Sequence, residues 1–264
     1  MSDSGSFSFK PPRVVGHRGA AALAPENTLA SIRAAAETGV DWVEVDAKLA
    51  RDGVPVLMHD DTLDRTTNAT GPAAALTSGA LGRLDAGSWF DAERVAAGLQ
   101  DAPRFAGEPV PTLAQCLAEC RRLGLGLDVE IKPDKGTEAA TAAACLEALD
   151  AEGWTADGSL LITSFQPAAL KVVRDYAPTF KRGLLIWEFP DGWETTAREL
   201  GVVTVISDQK SLTDHAAVAR ITAPVTGDGW PAMSYTVNES FRAKQLYEWG
   251  VAGVFTDDPT RLLP

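Results

Sequence analysis

Two of the chain's three histidines fall in its first quarter, each at the end of an apolar run: Val14 and Val15 lead to His17, and Val54-Pro55-Val56-Leu57-Met58 leads to His59. Histidines so placed can pass protons at neutral pH. Arg18, beside the first, offers a planar fork that matches phosphate oxygens. Glu44 and Asp46 flank Val45, so a strand's period of two puts both carboxylates on one face. Asp128, Glu130 and Lys132 repeat that spacing around Val129 and Ile131. Glu44, Asp46 and Glu130 converging from neighbouring strands make an all-oxygen donor set, which suits one divalent cation, Mg²⁺ or Ca²⁺, better than zinc. Lys132 adds a second positive charge for a phosphate. Together these groups point to phosphoester cleavage. The competing reading turns Glu44 and Asp46 outward against Lys48 or Arg51 and pairs Glu130 with Lys132. It suffices for any acidic residue alone and weakens once two strand-end histidines accompany three such carboxylates.

The elements that must position these residues alternate. Apolar, β-branched runs predict strands over 13–17, 40–48, 54–59, 125–131, 160–164, 182–186, 202–206, 232–236 and 251–256, with helices over 28–37, 112–123, 137–151, 167–176, 193–200, 212–221 and 239–249. That rhythm belongs to an α/β fold, either a barrel or a doubly wound sheet. With 54–59 set aside as an extra strand near the mouth, eight strands remain for a (β/α)8 barrel in one domain, 1–264. The segment from about 60 to 109 breaks the rhythm with repeated glycine and proline. A connection that long needs its own structure or a function. It is expected to roof part of the site, with Trp89 and Phe90 as anchors. His215, on a predicted helix without strand context, is assigned to the surface, and Cys116 and Cys120, four apart, to the core.

Composition bounds the class. With 264 residues, 45% hydrophobic and 23% charged, the chain has a globular domain's balance. A formal charge of −12 disfavours nucleic acid or an anionic membrane surface as a partner. The first twelve residues lack a basic, apolar export signal, no stretch is apolar enough to span a bilayer, and three cysteines are not a disulfide framework, so a cytoplasmic location is expected. P-loop, GxGxxG and serine-elbow motifs are absent from the sequence.

Taken in order, His17-Arg18-Gly19, Pro25-Glu26-Asn27-Thr28, Glu44-Val45-Asp46, His59-Asp60, Arg65-Thr66-Thr67, Glu130-Ile131-Lys132, Tyr235-Thr236-Val237-Asn238 and Gly253-Val254-Phe255-Thr256-Asp257 resemble the glycerophosphodiester phosphodiesterase family. The likeness runs from residue 13 to about 259, and phrases such as Leu84-Asp85-Ala86-Gly87-Ser88-Trp89 are similar to short cytoplasmic bacterial members linked with glycerol-3-phosphate uptake. The resemblance implies a TIM barrel with a small inserted subdomain, a divalent metal, and hydrolysis of deacylated phospholipids to glycerol 3-phosphate and an alcohol through a cyclic phosphate. It makes His17 and His59 the acid/base pair, Glu44, Asp46 and Glu130 the metal ligands, Arg18 and Lys132 the phosphate contacts, and Phe165 and Tyr235 pocket-lining residues. Tyr235 stands where many members place tryptophan, and Ala252 where an aspartate is common. Two rival readings remain at this point: a phospholipase C acting on intact lipid, which would need a membrane-docking surface, and an inactive barrel that senses glycerophosphodiesters, which would have no use for an acid/base pair.

Overall fold

Short valine-, leucine- and isoleucine-rich runs form the strands β1 (Val14–Gly16), β2 (Trp42–Leu49), β3 (Pro55–Leu57), β4 (Gly126–Ile131), β5 (Leu160–Ser164), β6 (Lys181–Ile186), β7 (Thr204–Asp208), β8 (Ala232–Tyr235) and β9 (Gly253–Thr256). These come from a computed structural model that describes residues 9–99, 104–223 and 228–263. The expected polar tail falls mostly outside those residues, as do four positions of the 60–109 segment. Among the described residues, eight strands pair in parallel in the order β1, β9, β8, β7, β6, β5, β4, β2, and pairing of β1 with β2 closes them into a barrel. The fold is a TIM barrel.

The extra strand was legible, but it is shorter than 54–59 and lies antiparallel on β2 outside the barrel, Ala47 opposite Leu57. Pro55 explains its edge position, because proline cannot donate to a second neighbour. Helices α1 (Leu29–Glu37), α4 (Leu113–Leu123), α5 (Glu138–Ala151), α6 (Pro167–Tyr176), α7 (Trp193–Leu200), α8 (His215–Thr222) and α9 (Ser240–Glu248) follow the sequence expectation within a few residues. Thr28 and Thr112 close capping boxes at the starts of α1 and α4. Helix α8 begins later than 212 because Asp214 accepts from the backbone N–H of Ala217 and sets the start there.

Two apolar layers hold the barrel. Outward-facing Val43, Val45, Leu127, Val129 and Ile162 pack beneath the helices, while Val15, Leu161, Leu185, Ile206, Met233 and Phe255 form a separate cluster. The inward faces of β2 and β4 are charged instead. Their register sets Glu44 beside Asp128 and Asp46 beside Glu130, and continuing the period of two brings Lys48 and Lys132 to the same end. Each strand therefore reads acid, acid, lysine toward the mouth. Lys48 is buried and paired with Asp61 and Asp134, so it is not the outward partner of Glu44 or Asp46.

The 60–109 segment has its own short helices, α2 (Ser78–Leu81) and α3 (Ser88–Ala96). Its small core, with Leu63, Ala73, Leu81 and Ala86, packs on Val56 and Met58. Phe90 is buried against Trp89 and Phe105, and the half-buried Trp89 donates its indole N–H to the Ala86 carbonyl. Among the described residues, none of this segment lines the central cavity described below. It reaches the mouth through Asp60, which meets His59, and Arg65, which meets Glu26.

Candidate active site

Strand β1 ends at Gly16, so His17 and Arg18 are the first residues beyond it. Gly16 leaves no room for a Cβ against the Gly19 backbone, and Gly19 itself turns at φ +85° with Ser31 packed against it. Arg18 is left-handed at φ 52°, an uncommon state for a non-glycine residue. The strain has a use: it aims the Arg18 backbone N–H at Glu44 Oε2, 2.9 Å away, while the guanidinium reaches Glu26 at 2.8 Å and Asp46 at 3.3 Å. Asn27, also left-handed at φ 56°, clamps Asp46 twice, donating to its carboxylate at 2.7 Å and accepting from its backbone N–H at 3.0 Å.

Glu44, Asp46 and Glu130 each present one oxygen within 4.8 Å of the other two. Glu44 and Asp46 are buried within the barrel, and Glu130 nearly so. Burial and the neighbouring carboxylates push Glu44 well above its ordinary value, and the same causes raise Glu130 to about 7 against the pull of Lys132 at 3.0 Å. At Asp46 burial acts the same way, but Arg18, Lys132 and His59 outweigh it and hold the carboxyl at about 2. The buried Oε1 of Glu44 has no hydrogen-bond partner. An orphaned carboxylate oxygen in a cluster of three fits a divalent cation with oxygen ligands.

The two histidines face this cluster with carboxylates behind them. His17 Nδ1 lies 2.6 Å from Asp257, which also accepts from the Asn238 side-chain amide at 2.6 Å. His59 Nδ1 lies 2.7 Å from Asp60, which is held by Arg65 through Nε at 2.7 Å. Burial raises Asp257, but His17 and Asn238 outweigh it, and Arg65 keeps Asp60 far below the usual carboxylate range. Both carboxylates are thus ionised and accept only, so each Nδ1 carries the proton and each Nε2 is left for the cavity. Burial lowers His59 below the ordinary imidazole value.

Arg65 continues from Asp60 to Glu26 through two further bonds of 2.6 and 2.7 Å, and Glu26 binds Arg18. One ionic chain therefore runs from Arg18 to His59 through the inserted segment. The cavity, about 290 Å³, is lined on one wall by His17, Arg18, Glu44, His59, Glu130 and Lys132, from within β2 and β4 or from just beyond the ends of β1, β3 and β4. Its other wall carries Phe165, Leu185, Trp187, Ile206, Tyr235 and Phe255. Phe165 and Tyr235 meet edge to face, 5.7 Å between centroids, and the Tyr235 hydroxyl donates to the Ile186 carbonyl.

The candidate site residues His17, Arg18, Glu44, Asp46, His59, Glu130, Lys132, Phe165 and Tyr235 are brought to this one mouth. His215 is exposed at the first turn of α8, and Cys116 and Cys120 are buried, as expected. Sequence reasoning gave no role to Asp257, Asn238, Glu26, Asn27, Arg65 or Asp128. The signal for Asp257 was present, since it follows directly on the apolar run of β9.

A parallel barrel with two carboxylate-backed histidines, two cations and an acidic cluster at the C-terminal ends of its strands defines a phosphodiester-cleaving enzyme. The chain belongs to the glycerophosphoryl diester phosphodiesterase family, whose profile matches residues 17–261. It is 30% identical over 262 residues to a glycerophosphodiester phosphodiesterase of Bacillus subtilis, covering 95% of this chain and 86% of that one. A Caldanaerobacter subterraneus glycerophosphodiester phosphodiesterase is 28% identical over 255 residues, 95% and 96% of the two chains. Among solved structures, an Oleispira antarctica phosphodiesterase in complex with the product sn-glycerol-3-phosphate superposes with a TM-score of 0.84 at 35% identity, covering 95% of each chain.

Proposed function

We propose that this protein hydrolyses glycerophosphodiesters to sn-glycerol 3-phosphate and an alcohol, using His17 and His59 as acid and base and one divalent cation, Mg²⁺ or Ca²⁺, at Glu44, Asp46 and Glu130. The observation that carries the reading is the pair of imidazoles, each tied at Nδ1 by a carboxylate, lining the same cavity as three converging carboxylates. The product held by the Oleispira antarctica relative supports the substrate class. Unpaired, buried thiols at Cys116, Cys120 and Cys145 support a reducing, cytoplasmic setting.

A phosphodiester anion repels nucleophiles, so its charge must be neutralised first. Arg18 and Lys132 bind the phosphoryl oxygens. A cation held by the three carboxylates would supply Lewis-acid charge at the reacting oxygens. One histidine takes the proton of the glycerol hydroxyl beside the ester carbon as that oxygen bonds to phosphorus. The other gives its proton to the departing alcohol as the second P–O bond breaks, leaving a five-membered cyclic phosphate. Water then opens the ring with the histidine roles exchanged. Phe165 and Tyr235 pack against the substrate's carbons. Turnover of glycerophosphocholine with and without EDTA, alongside intact phosphatidylcholine, tests the reading; cleavage of the intact lipid alone would overturn it.

Attack from within the substrate makes a sharp demand. Bis(p-nitrophenyl) phosphate has good leaving groups but no neighbouring hydroxyl, so it should be a very poor substrate, with the loss mainly in kcat. Cleavage at rates comparable to glycerophosphocholine would instead favour direct attack by water.

Arg65 is expected to matter without touching substrate. In Arg65→Met the charge of Asp60 is no longer balanced, so His59 becomes easier to protonate and the limb of the kcat/KM profile that reports His59 moves up in pH: the acid limb if His59 is the base, the alkaline limb if it is the acid. Activity at neutral pH should fall on the order of tenfold, the lower end for outer partners of an active site, and Arg65→Lys should restore part of it. A profile with neither limb moved would show that the ionic chain does not act through His59.

A further inference from the structure

The glycerol unit of the proposed substrate has three attachment points, and the site described above accounts for two. The phosphoryl group on the first carbon goes to Arg18 and Lys132, and the neighbouring hydroxyl to the histidines and the carboxylate cluster. The third carbon carries a primary hydroxyl that must also leave water, and in a cavity walled by Leu185, Ile206 and Phe255 it needs a polar partner. Three cavity-lining residues have a buried side-chain atom without a hydrogen bond: Arg18 at Nε, Glu44 at Oε1 and Asp128 at Oδ2. Arg18 Nε lies 3.3 Å from Asp46, and Glu44 belongs to the cation cluster. Asp128 remains.

Asp128 is 1% exposed and lies one inward-facing position deeper on β4 than Glu130, beside Glu44 in register. Thr163 donates to its Oδ1 at 2.9 Å, which orients the carboxyl group and leaves Oδ2 unpartnered. We propose that Asp128 recognises the terminal hydroxyl of the glycerol unit, and so selects glycerophosphodiesters over diesters of other vicinal diols. The proposal rests on the function proposed above and adds to it the residue that makes the diol a glycerol. A site built to bond a hydroxyl also rejects an analogue without one, because its own polar atom is left unpaired.

The test compares glycerophosphocholine with 2-hydroxypropyl phosphocholine, which keeps the choline leaving group and the attacking hydroxyl but lacks the terminal one. The wild type should favour glycerophosphocholine by roughly 10- to 100-fold in kcat/KM, the range for a hydrogen bond to a group of this kind. Asp128→Asn, which can still donate and accept, should keep most of that preference. Asp128→Val should bring the ratio close to one, chiefly by slowing glycerophosphocholine. Equal use of the two diesters by the wild type, or a wild-type ratio in Asp128→Val, would overturn the proposal while leaving the proposed function standing. A wild type inactive on both would sink the proposed function itself. Should Asp128→Val not fold, the wild type still decides: glycerol 3-phosphate must inhibit more tightly than 1,2-propanediol 1-phosphate, and equal inhibition counts against Asp128.

Discussion

His17→Ala and His59→Ala should each lower kcat by roughly 10²–10⁴-fold, the usual contribution of one positioned acid or base. The carboxylates behind them explain why neither can replace the other. Asp257 holds His17 and Asp60 holds His59 at Nδ1, so under the proposed mechanism each Nε2 would serve its own side of the reacting phosphorus. His215→Ala is the internal control and should match the wild type, since that residue is exposed on α8. An essential His215 together with a dispensable His59 would overturn the assignment.

Chelation should abolish turnover, and Mg²⁺ or Ca²⁺ should restore it; full activity in excess EDTA would remove the cation from the mechanism. The ligand substitutions should separate stability from activity. Glu130 is held near 7, above its unfolded value, so the ion-free fold loses stability as pH rises through that range and carries the full cost above it. Glu130→Gln should therefore abolish activity yet raise the ion-free melting temperature at pH 8, by roughly 2–4 °C for each kcal/mol recovered, and by less at pH 5. Asp46 behaves oppositely. Held at about 2 by Arg18, Lys132 and His59, it supports the fold, and Asp46→Ala leaves Arg18, Lys132 and the Asn27 amide without their partner. Calorimetry should place Asp46→Ala below the wild type and Glu130→Gln above it. Cation binding should weaken as pH falls below about 7, because a proton then competes for Glu130.

What the sequence displayed was whatever depends on strand period. Glu44 with Asp46, and Asp128 with Glu130, announce a shared face by spacing alone, and His17 and His59 announce strand ends by the apolar runs before them. The supporting residues were not legible because no period carries them. Asn27 reaches Asp46 only through a left-handed turn, and Glu26 meets Arg65 only because the inserted segment folds back beside the mouth. Where that segment docks was not legible for a related reason. Its glycines and aromatics indicate that it has a small core, but not on which side of the barrel the core docks. Leu63 and Leu81 dock on Val56 and Met58, so β3 decides the side.

The matching order of acid, acid, lysine on β2 and β4 bears on how the barrel assembles. Native pairing sets Asp46 beside Glu130 and Glu44 beside Asp128, like charge against like. A slip of two residues would set Lys48 against Glu130, exchange a repulsion for an attraction, and keep every valine on its own face, because such a slip preserves the alternation. Electrostatics on this strand pair thus favours a competitor of the working arrangement, a local conflict of the kind that slows a folding chain. The Asn27 clamp on Asp46 and the pairing of β2 with β3 oppose the slip. A divalent cation held by Glu44, Asp46 and Glu130 during refolding would act in the same direction, which would make the proposed ligand set a checkpoint on assembly as well as a site of chemistry.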